Sequence, residues 1–358
     1  MRTLLIMAGG TGGHVFPALA VAHDLRDRGV EVVWLGTHSG IEARAVPAAG
    51  FDMEWVTIRG VRGKGIWGLL QMPVLVAVAM LQTLGVVLRR RPNALLGMGG
   101  FVAGPGGFVA WLLRRPLLIH EANAIAGLTN RLLAHLAQRV MVGFEGTFPE
   151  ASRAECVGNP VRPEIAGIPE PERRLAGRPN RLRILVVGGS QGARVLNQVL
   201  PVAIAGLDVA SVPEIWHQSG RDHATPVETA YRTAGIDARV SEFIDDMASA
   251  YTWADLVVCR AGAMTVAEVS AAGVAALFVP FPHAVGDHQS ANARYLVERG
   301  AALMLRETEL TAERLCTVFE ELRTDRRRIQ KMSCRARQLG RPDATSRVAD
   351  ICMEVLSA

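Results

Sequence analysis

Apolar positions in this chain gather into short unbroken runs that end in glycine, each followed by a longer stretch with helical spacing. Residues 4–8, Leu-Leu-Ile-Met-Ala, run into Gly9-Gly10-Thr11-Gly12-Gly13-His14. Residues 184–187, Ile-Leu-Val-Val, run into Gly188-Gly189-Ser190-Gln191-Gly192-Ala193. Comparable runs at 31–37, 94–98, 116–120, 215–220 and 256–260 predict further strands, and strands that alternate with helices predict parallel sheets. A final helix is predicted over 344–356, after the break at Pro342. The glycines at 9, 10 and 13 recur at 188, 189 and 192, an offset of 179 residues in a chain of 358. The duplication predicts two similar α/β domains facing each other, with a ligand between them. A strand that ends in glycines and enters a helix exposes backbone N–H groups and a helix N-terminus, which suit a phosphate or another anion.

The breaker-rich segment 157–163 and the three prolines of 164–180 predict the boundary between the domains. The expected division is 1–160 for the first domain, 161–341 for the second, and 342–358 for a C-terminal helix. Neither glycine loop is the usual dinucleotide fingerprint. Val15 stands where the first would need its third glycine, and Gln191 where the second would need its middle one. Neither candidate second strand, 31–37 or 215–220, ends in an acid for a ribose, so hydride transfer is disfavoured.

Apolar residues at 49% and charged residues at 20% are globular values. Five scattered cysteines without a C-x-x-C pair fit a reducing compartment and free thiols. The net charge of +5 lies wholly in residues 1–160. Part of it brackets a run of 23 uncharged residues, 66–88, with Arg59, Arg62 and Lys64 before it and Arg89, Arg90 and Arg91 after it. That length formally qualifies as a membrane span. Pro73, Gly68, Gly85, Gln71 and Gln82 interrupt it, and basic clusters at both ends set no orientation. A helix lying in the membrane interface, with arginines on anionic lipid, fits better; burial in the domain core is the alternative. Nucleic acid is not expected as a partner, since no recognisable module accompanies the basic residues.

Candidate chemistry lies beyond the carboxyl ends of the strands, where doubly wound sheets bind ligands. His14 opens the first helix and can take a proton near neutral pH, or else only cap the turn. Glu121 and Asn123 follow a strand and could orient a hydroxyl, or simply form the turn. Arg162 could reach a diphosphate or face solvent. Residues 261–268, with Ala263, Met264, Thr265, Val266 and Ala267, turn a strand into a helix of small residues suited to a diphosphate. Glu268, about one turn in, could accept two ribose hydroxyls or complement the helix dipole. Gln289, in an expected polar loop at 280–292, can both donate to and accept from a sugar. With no D-x-D, no H-E-x-x-H and no clustered Cys/His, a metal is not expected, and helix dipoles plus an arginine are left to neutralise a leaving group.

Together these motifs resemble the MurG family, the bacterial UDP-N-acetylglucosamine transferases that convert lipid I to lipid II. The stretches that carry the resemblance are 9–14, 97–100 with 104–107, 120–123, 158–162, 188–193, 216–220, 242–247 and 260–268, in order along the whole chain. Ala122, Ala261 and His288 depart from the family pattern. The resemblance implies a GT-B fold of two Rossmann-like domains with a cleft between them, and a last helix crossing back to the first domain. It implies an inverting, metal-independent transfer from UDP-N-acetylglucosamine, a substrate rather than a cofactor, to the muramyl 4-hydroxyl of lipid I. Lipid I here is undecaprenyl-pyrophosphoryl-MurNAc-pentapeptide. By motif match His14 and Glu121 are catalytic candidates, and Thr11, Gly12 and Gly13 lie by the donor sugar and acceptor. Asn123 contacts the donor sugar, Arg162 and Ser190 the diphosphate, and Ile244 the uracil by its backbone. Residues 263–265 hold the phosphates, Glu268 the ribose and Gln289 the sugar hydroxyls. Ile66, Trp67, Leu69, Leu70, Leu75, Arg89 and Arg90 would meet anionic lipid at the cytoplasmic face of the inner membrane, as a peripheral protein. A UDP-N-acetylglucosamine 2-epimerase or a sugar-nucleotide binder without activity are the competing readings. The basic apolar segment favours a lipid acceptor. The loop at 188–193 is then expected to serve the nucleotide, and the loop at 9–14 the acceptor and its pyrophosphate.

Overall fold

In the computed structural model of the chain, residues 2–58, 65–178, 181–189, 192–282 and 284–358 are described, with backbone alone for 65–70, 210 and 285. Ser190 and the side chains of Ile66, Trp67, Leu69 and Leu70 therefore lie outside the described residues. The chain divides into two compact units, Met1–Arg162 with Pro342–Ala358, and Pro163–Arg341.

The first unit holds strands β1 (Thr3–Ala8), β2 (Glu31–Gly36), β3 (Asp52–Trp55), β4 (Ala94–Gly99), β5 (Leu117–Glu121), β6 (Arg139–Val142) and β7 (Glu155–Cys156). They form one parallel sheet in the order β3-β2-β1-β4-β5-β6-β7. β1 pairs Leu5 with Val33 on one side and with Leu95 on the other. All six of its residues are buried, which is why its sequence is apolar without alternation. The last helix, Ala344–Ser357, packs against the helix Gly12–Asp27, placing Val348, Ile351 and Cys352 in one core with Leu4, Ile6 and Val15. Arg28 and Asp350 pair at 2.5 Å across that contact.

The second unit holds β8 (Arg183–Val187), β9 (Glu214–Gln218), β10 (Ala238–Ser241), β11 (Leu256–Cys259), β12 (Ala275–Phe278) and β13 (Ala302–Met304). They too are parallel, in the order β10-β9-β8-β11-β12-β13. In each sheet the strand order reverses once, between β1 and β4 and between β8 and β11, and crevices for ligands open at such points. At the opposite, amino end of the second sheet, buried Asp255 is paired at 2.8 Å with both Arg178 and Arg326. That cluster serves the fold and stands away from the carboxyl ends.

The described structure adds β3, β6, β7, β10 and β13, which no apolar run marks, and it reshapes one expected loop. The expected polar loop at 280–292 ends early, because the helix His288–Val297 starts inside it. Gln289 and Asn292 therefore sit on a helix.

Candidate functional site

In the first unit the carboxyl ends of β1, β4 and β5 lie side by side. The loop after β1 carries Gly10 at φ +88° and enters its helix at Gly12, with Thr11 as the preceding cap residue. The Thr11 side chain makes no capping hydrogen bond, so the first turn is not closed by its own hydroxyl. The loop after β4 comes up against it. Gly9 N–H donates to the Gly99 carbonyl at 3.3 Å, and a Cβ on Gly100 would overlap the Gly9 carbonyl oxygen. A Cβ on Gly99 would lie 2.5 Å from His14 Cδ2, so the imidazole rests on bare backbone. His14 is half-buried, with Nδ1 3.3 Å from the Gly9 carbonyl oxygen and 3.4 Å from Thr11 Oγ1.

Glu121 ends β5, buried. Its Oε1 accepts from Asn123 N–H at 2.9 Å and Asn123 Nδ2 at 3.2 Å; its Oε2 accepts from Gly127 N–H at 3.1 Å and Asn130 Nδ2 at 2.9 Å. With four N–H donors on its two oxygens, the carboxylate is occupied within its own turn and poorly placed to reach a ligand. It shapes the turn that presents Asn123. Asn159 Nδ2, donating to the Ala122 carbonyl at 2.9 Å, holds the same turn from the other side. His120, one residue earlier, is buried against the Gly158 carbonyl oxygen at 2.9 Å from Nε2, and burial lowers its pKa. Arg162, the last residue of the unit's first segment, is exposed.

In the second unit Gly188 and Gly189 follow β8, and Gly192, at φ +74°, would collide through a Cβ with the Ser219 carbonyl oxygen. Beneath this loop a polar chain runs inward. Asn197 donates from Nδ2 to that carbonyl at 2.9 Å, His217 Nε2 meets Asn197 Oδ1 at 3.0 Å, and His217 Nδ1 meets Tyr231 Oη at 3.0 Å. Burial drives the His217 pKa down to about 3, so it stays neutral and structural. The helix Ala263–Ala272 begins at Gly262, which offers no side-chain cap, leaving the first-turn N–H groups to a ligand or to water. Met264, Thr265 and Ala267 are half-buried along it. Val266 is a correction to the expected site: it is 1% exposed, and its N–H is spent on the Gly262 carbonyl at 3.0 Å. Glu268 is half-buried and accepts from the Tyr251 hydroxyl at 3.1 Å, which holds the carboxylate one turn above the helix start. Gln289 Oε1 accepts from Ala261 N–H at 3.3 Å and Phe281 N–H at 2.9 Å, tying the loops after β11 and β12 together. Ile244 is buried, so only its backbone can face a ligand. No group of three or more His, Cys, Asp or Glu able to hold a metal occurs among the described residues.

The uncharged segment forms one helix, Gly65–Arg90, with Pro73 inside it. By length and composition its stretch Gln71–Arg90, mean hydropathy 1.9, could cross a membrane. One face, with Ala79, Thr83, Val86 and Val87, is buried on the first unit's core; Leu75 is half-buried. The opposite face leaves Val74, Val78, Leu81 and Leu88 exposed at helical spacing. It packs beside the helix Ala103–Leu112, which exposes Phe108, Trp111 and Leu112, and that in turn beside Leu128–Leu133, which exposes Leu128 and Leu132. Contiguous apolar surface of this kind marks a membrane or protein contact. Arg89 and Arg90, expected on lipid, both pair with Glu54 of β3, Arg90 Nε at 2.6 Å, while the Arg89 side chain stays 62% exposed. The basic side chains around the apolar face are exposed Arg114, Arg115 and Arg131, which make no ion pair among the described residues.

Sequence reasoning passed over Glu42 and Tyr251. Neither sits in a recognisable motif, and each reaches the site only through folding.

The glycosyltransferase family 28 N-terminal domain matches residues 4–142, and the glycosyltransferase family 28 C-terminal domain matches residues 183–348. The chain is 56% identical over 354 residues to the UDP-N-acetylglucosamine--N-acetylmuramyl-(pentapeptide) pyrophosphoryl-undecaprenol N-acetylglucosamine transferase of Nitrosococcus oceani, covering 99% of each. It is 55% identical over 351 residues to the protein of that name in Alkalilimnicola ehrlichii, covering 98% of each. Among solved structures it is similar to Acinetobacter baumannii MurG, with TM-score 0.87 and 39% identity over 99% of this chain and 100% of that one.

Proposed function

The chain belongs to glycosyltransferase family 28 and has its GT-B fold, and on that footing we propose how it works. It transfers N-acetylglucosamine from UDP-N-acetylglucosamine to N-acetylmuramyl-(pentapeptide) pyrophosphoryl-undecaprenol, a step of peptidoglycan synthesis. The second unit holds the donor. What carries this assignment is the open N-terminus of the helix Ala263–Ala272 with Glu268 steadied above it by Tyr251. N–H groups of residues 263–265 take the diphosphate, and Glu268 takes ribose hydroxyls. Ile244 offers backbone to the uracil. Gln289 places its side chain beside the sugar while bracing two loops. Ser190 and Arg162 add contacts to the diphosphate, and Asn123 to the donor sugar.

The first unit holds the acceptor and the base. His14 takes the proton of the muramyl 4-hydroxyl, and that oxygen attacks the anomeric carbon from the face opposite UDP. The C–O bond to the diphosphate breaks as the new one forms, inverting the centre through an oxocarbenium-like transition state. The departing charge falls on the helix N-terminus and Arg162, and no step calls for a metal. Glu121 orients Asn123 rather than acting as the base. The apolar face formed by helices 65–90, 103–112 and 128–133 rests on the anionic inner leaflet at the cytoplasmic side, with Arg114, Arg115 and Arg131 at its edge.

The deciding assay follows UDP release from UDP-N-acetylglucosamine with and without a lipid I analogue, in EDTA and in magnesium. Release that requires the analogue and is indifferent to EDTA is expected. Free sugar nucleotide converted without the analogue would instead identify an epimerase.

A further inference from the structure

The first glycine loop is closed from beneath by a carboxylate of its own. Glu42 opens the short helix Glu42–Ala48, yet its side chain turns back, fully buried, under the loop after β1. Its Oε1 accepts from Thr37 N–H at 3.1 Å and from the Thr37 hydroxyl at 2.8 Å, and its Oε2 accepts from Gly10 N–H at 3.0 Å. Three glycines make room for it. A Cβ on Gly9 would stand 2.7 Å from Oε1, one on Gly36 would stand 2.8 Å from Cγ, and one on Gly40 would overlap Oε2. The carboxylate makes no ion pair among the described residues, so hydrogen-bond donors alone hold it.

The peptide between Gly9 and Gly10 carries this contact onward. In a trans peptide the N–H and C=O point in opposite directions. With Gly10 N–H on Glu42, the Gly9 carbonyl must face away, and there it meets His14 Nδ1 at 3.3 Å. A carbonyl oxygen only accepts, so Nδ1 bears the proton; Thr11 Oγ1, at 3.4 Å, is able to accept as well. The lone pair is then on Nε2. We propose that Glu42 is a positioning residue: through the Gly9–Gly10 peptide it fixes the Nδ1–H tautomer of His14 and keeps Nε2 as the proton acceptor. Glu42 itself touches no substrate. Without the anchor, a peptide flanked by two glycines is free to turn over and offer His14 an N–H, which selects the other tautomer and leaves Nε2 protonated. The inference rests on the reading of His14 as the base.

The test pairs kinetics with 15N spectra of the imidazole in the full chain. Wild type is expected to show the Nδ1–H tautomer when neutral. Glu42→Gln, which must turn its NH2 toward Gly10 N–H or Thr37, is expected to show a shifted tautomer population. Its kcat should fall at least about tenfold, within the roughly 10²–10⁴-fold that a general base supplies, with the KM for UDP-N-acetylglucosamine unchanged. Thr37→Val keeps the carboxylate on Gly10 and should retain the Nδ1–H form. An Nε2–H tautomer in wild type overturns the proposal, and this holds even should Glu42→Gln fail to fold. An unchanged tautomer in a folded Glu42→Gln overturns it too. His14→Ala separates the two ideas: near-normal turnover there removes the base itself, whereas an inactive His14→Ala beside an unmoved tautomer in Glu42→Gln removes only the role of Glu42.

Discussion

After β1, the Gly10 N–H is already bound to an internal carboxylate and the helix starts at Gly12. After β8, the counterpart Gly189 has a similar φ, +79° against +88°, but the helix starts only at Arg194, the counterpart of Val15. Gly188 N–H donates to the Gln218 carbonyl and Gly192 N–H to the Gly189 carbonyl, and no carboxylate among the described residues accepts from Gly188, Gly189 or Gly192. The last of these turns left-handed at φ +74°, whereas its counterpart Gly13 lies within the helix. One duplicated motif has thus been filled from inside on one side and left without an internal anion on the other. A glycine loop is a scaffold with N–H groups to spend, and what the rest of the fold brings beneath it decides whether a ligand or the protein itself uses them. That difference also revises the expectation that both loops bind phosphate. The first loop has committed one of its N–H groups to Glu42, and we assign it chiefly to aiming His14.

Variants around the first glycine loop should therefore damage catalysis, and variants around the second loop and the helix Ala263–Ala272 should damage donor binding. His14→Ala carries the largest expected effect, a fall in kcat of roughly 10²–10⁴-fold with donor affinity intact by titration calorimetry; a rate close to wild type breaks the division of labour. Glu268→Ala comes next. Losing hydrogen bonds to a charged partner costs about 1.5–3 kcal/mol, which should appear as weaker UDP-N-acetylglucosamine binding. An unchanged dissociation constant would take Glu268 out of the ribose site. The glycines offer a matched pair. Gly100→Ala and Gly192→Ala each impose a left-handed φ and a backbone clash, about 1–3 kcal/mol of strain. The first should lower kcat and the second should raise KM for the donor, so parallel kinetic defects in both would erase the contrast.

Smaller effects probe the surroundings. Leu81→Asp on the exposed face of the helix Gly65–Arg90 forfeits roughly 1.5–3 kcal/mol of side-chain burial if that face meets lipid. Flotation with anionic vesicles should then weaken while activity on a detergent-soluble acceptor persists. Among the described residues each unit also buries one neutral histidine, His120 and His217, with a pKa below its unfolded value. The folded state then binds fewer protons than the unfolded chain. The stability is present above pH ~6.5 and is lost as pH falls toward the folded pKa. For His217 that window closes at about 3, and acidifying from pH 7 to about 5.5 should cost near 1.4 kcal/mol, read by urea titration at the two pH values.

Much of this molecule was legible in its sequence because the signals were local. Apolar runs gave β1, β2, β4, β5, β8, β9 and β11, the glycines after β1 and β8 marked the loops, and the small residues from Ala261 to Ala267 announced a helix N-terminus suited to a phosphate. The family resemblance arose from the same motifs, which reach the chemistry within a few residues of a strand end. Composition alone flagged residues 66–88, but not that only one face of the helix would stay exposed.

Other features were decided by residues that meet only in the folded chain. Nothing in the sequence showed that β3 would bring Glu54 to Arg89 and Arg90, across 35 and 36 residues of sequence. Glu121 looked like a base until Gly127 and Asn130 curled back to saturate it. Glu42, six residues past a strand, carries no signal in the sequence, because no spacing rule says which carboxylate will fold under which glycine loop. The sequence by itself determined where backbone N–H groups would be exposed, since strand, glycine and helix propensities act over a few residues. Only the tertiary structure decided which of them remain for a substrate, since a buried carboxylate is tolerated only where several donors from distant segments converge on it.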